Sequence, residues 1–178
     1  MLFRFFVFFI GVVFLFSCEN DIKHTAKEKN KLGARVDVGS NIEVYYSEKG
    51  IQTALLKAPV MMKQEDSQFK TMFPKGIHLQ MFDSVGQLAS TMTAKYGEHD
   101  HTTNQMKAHD SVLVVSTHGQ ILKAKDLIWL SNENKMVSYG AVEMRTPTEI
   151  IYGDTLFADE NLKRYLVKKV RGVVQVKK

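Results

Sequence analysis

A chain of 178 residues is long enough for one domain with a hydrophobic core and too short for two large ones. Hydrophobic residues make up 44% of the chain, which excludes a largely disordered protein. The net charge of +5 is small, so charge alone favours acidic partners only weakly.

The chain begins with an apolar segment. Arg4 precedes the run FFVFFIGVVFLF, which as a helix would extend about 18 Å, well short of a hydrocarbon core of about 30 Å. This length favours the hydrophobic region of a signal peptide over a membrane span. The run ends in LFSC, where Ser17 precedes Cys18, the single cysteine of the protein.

The position of Cys18 resembles the acylated cysteine of a bacterial lipobox, which becomes the N-terminus after cleavage. Phe16 departs from that pattern, in which a smaller residue is usual. The alternative is an uncleaved anchor helix in which the cysteine is incidental. In both cases we expect residues 1–18 to hold the N-terminus at a membrane and the remainder to be exported. Cys18 is the predicted lipidation site.

The polarity of the chain changes twice after this segment. Residues 19–40 are rich in Lys, Asn, Glu and Asp and have few of the branched or aromatic residues that would order them, which predicts a flexible tether. From Asn41 the phrase NIEVYY places Ile42, Val44 and Tyr46 on one face of a strand. No window shows helical periodicity over a usual helix length, so the sequence predicts an all-β domain over residues 41–178.

One phrase recurs along this domain. SEKGIQTALLKA, DSVGQLASTMTA and STHGQILKAKDL begin at residues 47, 83 and 116, and each has four turn residues ending in Gly before an alternating run. TPTEIIYGDTLF, from Thr146, keeps the spacing with Glu149 in place of the glycine. The four phrases predict consecutive β-hairpins that stack into facing sheets, as in a sandwich, jelly roll or solenoid.

One face of each strand is expected to point inward. A sealed interior would hold no ligand, whereas an open groove with these walls would accept an acyl chain. We expect Trp129 near a hairpin end. The predicted inward residues, and hence the candidate lipid-binding residues, are Val44, Tyr46, Leu56, Leu79, Met81, Met92, Val112 and Val114.

Residues with catalytic or metal-binding chemistry are few. His99, Asp100 and His101 lie together in GEHDHTT, but no cysteine or second histidine pair completes a metal shell. Asp110 and Ser111 lack the glycine-rich elbow of a hydrolase serine, and there is no phosphate-binding loop. We therefore expect neither an enzyme nor a bound cofactor or metal.

The C-terminal phrase KRYLVKKVRGVVQVKK, from Lys163, has seven Lys or Arg residues and no acid. Lysines on an edge strand deter unwanted pairing with other chains. The other interpretation is contact with lipid phosphates or with an acidic partner. The two interpretations are compatible.

An ordered series of phrases resembles the LptC family, the membrane-tethered periplasmic component of the lipopolysaccharide-export ABC transporter. The phrases lie between Asn41 and Val174, and the chain departs from many members in its short N-terminal run. They are NIEVYYSEKGIQTALLKAPVM, FPKGIHLQMFDSVGQLASTMTAKYG, GQILKAKDLIWLSNENKMVS and IYGDTLFADENLKRYLVKKVRGVV.

The resemblance implies a twisted, boat-shaped β-jelly roll with an open apolar groove, anchored at the periplasmic face of the inner membrane. It also implies that lipid A acyl chains enter the groove and that lipopolysaccharide passes from the transporter to a soluble periplasmic jelly-roll bridge protein. The alternative is a sealed β-sandwich lipoprotein that acts only as a protein-interaction module. The C-terminal edge matching the family's docking edge would include Tyr165, Val167, Val170, Val173 and Val174.

Overall fold

The structure is a computed structural model, and it describes residues 27–29, 35–64 and 70–171. Cys18, Val173 and Val174 lie outside the described residues. Within those ranges there are twelve β-strands, one short 3₁₀ turn at Ser131–Glu133, and no helix long and apolar enough to cross a membrane. In chain order the strands are β1 (Lys27–Lys29), β2 (Arg35–Glu48), β3 (Ile51–Gln64), β4 (Lys70–Phe73), β5 (Ile77–Phe82), β6 (Leu88–Ala94), β7 (Tyr96–Asp100), β8 (Gln105–Ser116), β9 (Ile121–Leu130), β10 (Lys135–Arg145), β11 (Ile150–Asp159) and β12 (Tyr165–Lys168).

All the described strands belong to one antiparallel sheet. Its order is β1-β2-β3-β4-β7-β8-β9-β10-β11-β12, and β5 and β6 form a second connection between β3 and β8. The protein therefore has the predicted all-β, jelly-roll-like fold built from consecutive antiparallel hairpins.

The long strands are bent near their midpoints. Pairing of β2 with β3 skips Asn41, and the register of β8 with β9 shifts at Asp110 and Ser111. The register of β10 with β11 shifts at Gly140. All four residues have positive φ angles. Asp110, Ser111 and Gly140 lie at bulges, where an extra residue bends the strand, whereas the register of β2 with β3 is the same on both sides of Asn41. The bends form a line that divides the sheet into two facing arms.

We name the arms by the strand segments on each side of this line. Arm 1 comprises residues 35–40, 60–64, 70–73, 96–100, 105–109, 126–130, 135–139, 155–159 and 165–168. Arm 2 comprises residues 42–48, 51–58, 77–82, 88–94, 112–116, 121–124, 142–145 and 150–153.

The repeated turn phrases all lie at the free end of arm 2. Gly50, Gly86 and Gly119 have φ angles of 82°, 80° and 87°, so the predicted positive-φ turns are confirmed. In the fourth copy the Thr146 amide donates to the Glu149 carbonyl at 2.9 Å, and no glycine is needed. The repeat thus reflects four hairpins that turn back along one rim.

The inward faces of both arms form a single hydrophobic core. Buried residues alternate with more exposed ones along each segment, as in β5, where Ile77, Leu79 and Met81 are buried, so one face of the pleat lies inside. The largest fully buried side chains of the core are Trp129, Phe73, Leu56, Leu79, Met81, Met92, Met106, Leu122, Leu127, Met136, Met144 and Leu156.

The domain begins earlier than the sequence predicts. Residues 19–40 were expected to be a tether, but β1 lies within them and β2 starts at Arg35. Val36 pairs with Gln64 of β3 and is only 4% exposed. Val36 and Val38 do alternate with charged residues, but Gly39 and Ser40 interrupt the run and make it look polar. Strand pairing with β3 therefore starts in the arm 1 segment of β2, before Asn41.

Candidate ligand site between the arms

All eight residues predicted to point inward lie on the inner face of arm 2. Val44 and Tyr46 are half-buried and pack against the core. The remaining six are at most 1% exposed. Their contact with a lipid stays a prediction.

The opposite wall comes from arm 1, and most of it is not apparent from the sequence. Phe73, Met106, Leu127 and Leu156 are each at most 1% exposed. The repeated turn phrases mark only the strands of arm 2, and no comparable turn motif in the sequence identifies the strand segments of arm 1. Trp129, expected near a hairpin end, belongs to this wall.

The two walls touch each other. The Tyr46 ring of arm 2 meets the Trp129 ring of arm 1 edge-on, with ring centroids 5.5 Å apart. Tyr46 also meets His99, with ring centroids 5.8 Å apart. Because side chains of both walls are closed to water, the interior is a packed core in this conformation and a ligand has to separate the arms.

Methionine is prominent in both walls. Met81 and Met92 in arm 2, and Met106 and Met136 in arm 1, are at most 1% exposed. A methionine side chain is unbranched and flexible, so it adapts to a neighbour of changing shape. Walls of this composition can repack around a ligand at lower cost than walls of branched residues.

A cavity of about 1040 Å³ opens at the mouth, where the free ends of the arms approach each other. This volume is at the upper end of the usual range for ligand cavities, about 300–1,000 Å³. Ile51 and Phe82 contribute apolar surface next to the charged tips Glu48, Asp83 and Arg164. The rim carries both signs of charge, since Lys49, Lys135 and Arg164 lie among its carboxylates. An apolar interior under a charged rim suits an amphiphilic ligand.

The mouth is bridged by the turn between β11 and β12. We call residues 160–163 the clasp. The Ser90 hydroxyl of arm 2 donates to the Glu160 carbonyl, and the Ser116 hydroxyl donates to the Asn161 carbonyl at 2.8 Å. Leu162 is fully buried in the core shared by the arms. The clasp extends from arm 1 and holds the end of arm 2.

Glu160 carries a carboxyl group into this contact. The Trp129 indole N–H donates to its Oε1 at 2.5 Å. Burial raises the pKa of Glu160 to about 7, an effect opposed by the hydrogen bond from Trp129 and reinforced by the charge of Asp159. At neutral pH a large fraction of the folded molecules therefore carries this carboxyl group in its protonated form.

The histidine-rich loop is held by protein contacts. His101 Nε2 lies 2.8 Å from the Thr71 hydroxyl oxygen, and His99 Nε2 lies 3.2 Å from Asn104 Oδ1. Burial, followed by the charge of His101, lowers the pKa of His99, which favours its neutral form. In the described part of the chain no group of three or more His, Cys, Asp or Glu residues could hold a metal ion.

The predicted partner edge is formed by β12, which pairs only with β11 among the described strands. The side chains of Tyr165 and Val167 pack against the core, whereas Leu166 and Val170 are 55% and 56% exposed. The Asp159 amide donates to the Arg164 carbonyl at 3.0 Å, so these two opposite residues form a hydrogen-bonded pair between β11 and β12. This pair determines which of the following residue pairs are hydrogen-bonded.

The alternation of bonded and non-bonded pairs decides which backbone groups of β12 face the free edge of the sheet. In an antiparallel pair, hydrogen-bonded and non-hydrogen-bonded residue pairs alternate. Leu166, opposite Phe157, is therefore bonded to β11, whereas the amide and carbonyl of Val167, opposite Leu156, point to the free edge. Val167 thus presents backbone groups on which another strand can add.

The clasp residues are the part of the candidate site that the sequence did not indicate. Ser90 lies in an alternating strand phrase and Ser116 begins a turn phrase, and DENLKR reads as an ordinary polar turn. The one available signal was Leu162, an apolar residue inside that turn.

Neither a scan against protein-family models nor a search of curated proteins finds a match for this chain. Function is therefore inferred from the fold and the geometry of the site together with the sequence resemblance.

Proposed function

We propose that this protein is a membrane-tethered periplasmic component of lipopolysaccharide export. It binds the acyl chains of lipid A between its two arms. It then passes lipopolysaccharide from an inner-membrane ABC transporter to a soluble periplasmic bridge protein. No covalent chemistry is required, because the transporter's ATPase supplies the energy.

The observation that supports this proposal best is the apolar interior shared by both arms. Leu56, Met81 and Met92 line one side, and Met106 and Leu156 line the other. Transfer of one methylene group from water into such a site is worth about 0.8 kcal/mol, so several acyl chains bind tightly if the arms separate. The resemblance to the LptC family gives the chemistry of the ligand.

The second candidate function is that of a sealed β-sandwich that only binds other proteins. Its support is the complete burial of Leu56, Leu79 and Val114, so the inner walls of the described strands are closed against each other in this conformation. The two functions differ in one respect: only a conduit brings lipid into contact with the inner wall.

Photo-crosslinking from neighbouring tyrosines of β2 separates the two functions. A photoreactive residue at Tyr46 faces the inner wall, whereas one at Tyr45, which is 59% exposed, faces outward on the same strand. In cells that export lipopolysaccharide, we expect adducts from Tyr46 and far fewer from Tyr45. Leu79 and Val114 are further inner positions for the same test. Equal labelling from Tyr45 and Tyr46, or none from any inner position, contradicts the conduit.

A further inference from the structure

The clasp differs from the rest of the arm-to-arm contact in its chemistry. Elsewhere the inner walls meet through apolar and aromatic side chains, whereas the clasp is held to arm 2 by the hydroxyls of Ser90 and Ser116 and to arm 1 by the indole of Trp129. Ser90 and Ser116 are 0% and 4% exposed, so two buried donors depend on the clasp for an acceptor. Water can replace each of these hydrogen bonds when the clasp lifts.

The clasp is a tight turn that can move without unpairing its strands. Leu162 has a φ angle of 57°, the left-handed conformation that closes the turn, and its amide donates to the Asp159 carbonyl at 3.1 Å. The Leu162 side chain is buried in the core. The turn lies beyond the residue pairs that join β11 to β12, so the clasp can shift without breaking that ladder.

The position of the clasp connects two spaces. Glu160 and Asn161 line the mouth cavity from outside, and Leu162 fills the interior behind them. When the clasp lifts, the cavity becomes continuous with the space between the walls. Met92 and Val114, the cross-strand neighbours that continue inward from Ser90 and Ser116, are then the next inner-wall residues.

We propose that the clasp is a gate through which acyl chains enter the interior sideways, with Leu162 as its plug and Ser90 and Ser116 as its latch. This inference rests on the proposed function, because it needs an acyl ligand. It adds that an acyl chain reaches the interior through the mouth between the arms and does not have to enter at the first or last strand of the sheet.

A reversible lock tests the gate. The variant Ser116→Cys with Asn161→Cys joins the latch to the clasp, at residues already brought together by the 2.8 Å contact. Both substitutions are made in the 178-residue chain carrying Cys18→Ala, which also serves as the reference. The probe is lipid A in phospholipid vesicles, and the readout is adduct yield from a photoreactive residue at Tyr46. Mass spectrometry verifies the disulfide.

We expect oxidation to lower the adduct yield at least about tenfold, and reduction to restore it. An equal yield from the oxidised and reduced variant overturns the gate while the proposed function stands. Absence of adducts from the reference chain overturns the proposed function and the gate together.

A pair of leucine variants gives a second, independent measurement. Leu162→Ala removes the plug, and Leu122→Ala removes an equally buried core leucine that belongs neither to the clasp nor to the predicted lipid-binding residues. Both variants lose a core side chain, so both unfold more readily. If the clasp is a gate, only Leu162→Ala labels several-fold faster than the reference. Equal rates for the two variants show that the clasp has only a structural role.

Discussion

Glu160 is the residue through which we expect pH to act on the clasp. Its pKa is about 7 in the folded protein, above the usual 4.5 of a glutamate, mainly because the carboxyl group is buried. A raised pKa contributes stability that is complete below the unfolded-state pKa and is lost as pH rises through the folded-state pKa. The clasp is therefore expected to be firmest in acid and to loosen between about pH 4.5 and pH 7.

The variant Glu160→Gln isolates this effect, because glutamine keeps an oxygen acceptor for the Trp129 indole and does not titrate. At pH 4 we expect similar free energies of unfolding for both proteins. Above pH 7 we expect the variant to be more stable by up to about 3 kcal/mol, the value of a shift of this size. Urea unfolding at a series of pH values measures the difference.

Glu133→Gln is the matched control, since Glu133 lies in the neighbouring turn with a largely exposed side chain. Its free energy of unfolding is expected to follow that of the unmodified protein at each pH. Parallel pH profiles for the unmodified protein and Glu160→Gln contradict the assignment of the buried proton to Glu160.

At the scale of the elements, two turn glycines with similar φ angles predict different costs. Gly86 has a φ angle of 80°, and a Cβ added there would meet no neighbouring atom within 4 Å, so Gly86→Ala is expected to cost only the strain of a positive φ, about 1 kcal/mol. Gly76 has a φ angle of 90°, and a Cβ there would lie 2.8 Å from the Ala94 carbonyl oxygen. We expect Gly76→Ala to cost more than about 2 kcal/mol.

Chemical denaturation of the two glycine variants provides the comparison. Both substitutions change the unfolded chain in the same way, so their difference reports the native contact. Equal losses of stability would mean that the β4–β5 turn moves away from Ala94 without cost.

The free edge of β12 predicts opposite outcomes for two neighbouring prolines. Val167→Pro removes an amide that points to the edge, and Leu166→Pro removes an amide bonded to β11. We expect Val167→Pro to weaken docking of the periplasmic bridge protein with little loss of pairing to β11. Leu166→Pro is expected to detach the edge strand.

Pull-down against the proposed bridge protein and the proposed transporter partner tests docking at the two ends, and thermal unfolding checks the fold. Val167→Pro should retain the transporter. Equal loss of both partners, or of neither, would show that the ends of the sheet are assigned to the wrong partners.

For the whole molecule, the sequence predicts that the N-terminus holds the domain at a membrane. Cys18 follows a short apolar run and Ser17, so the sequence predicts acylation and cleavage before the cysteine. Cys18→Ala is expected to abolish both. Mass spectrometry of the purified N-terminus is the measurement, and an intact Met1 with an unmodified Cys18 would favour the uncleaved anchor.

Local sequence patterns are sufficient to predict the all-β class, the hairpin turns and one wall of the interior. A period of two residues sets the faces of a strand, and glycine at a turn takes a positive φ. Gly50, Gly86 and Gly119 each mark the turn of one hairpin, so the sequence predicts the strands of arm 2 that flank these turns. The start of β2 was missed because Gly39 and Ser40 break its alternation.

Only the tertiary structure decides which two walls face each other and how the mouth between them is closed. The irregular residues Asn41, Asp110 and Ser111 separate the arm 1 and arm 2 segments of β2 and β8, and no local pattern states which segments then meet. The Ser90 hydroxyl and the Glu160 carbonyl are 70 residues apart in the chain. A hydrogen bond over that separation depends on the packing of the whole sheet, so neither residue alone carries a sign of the clasp.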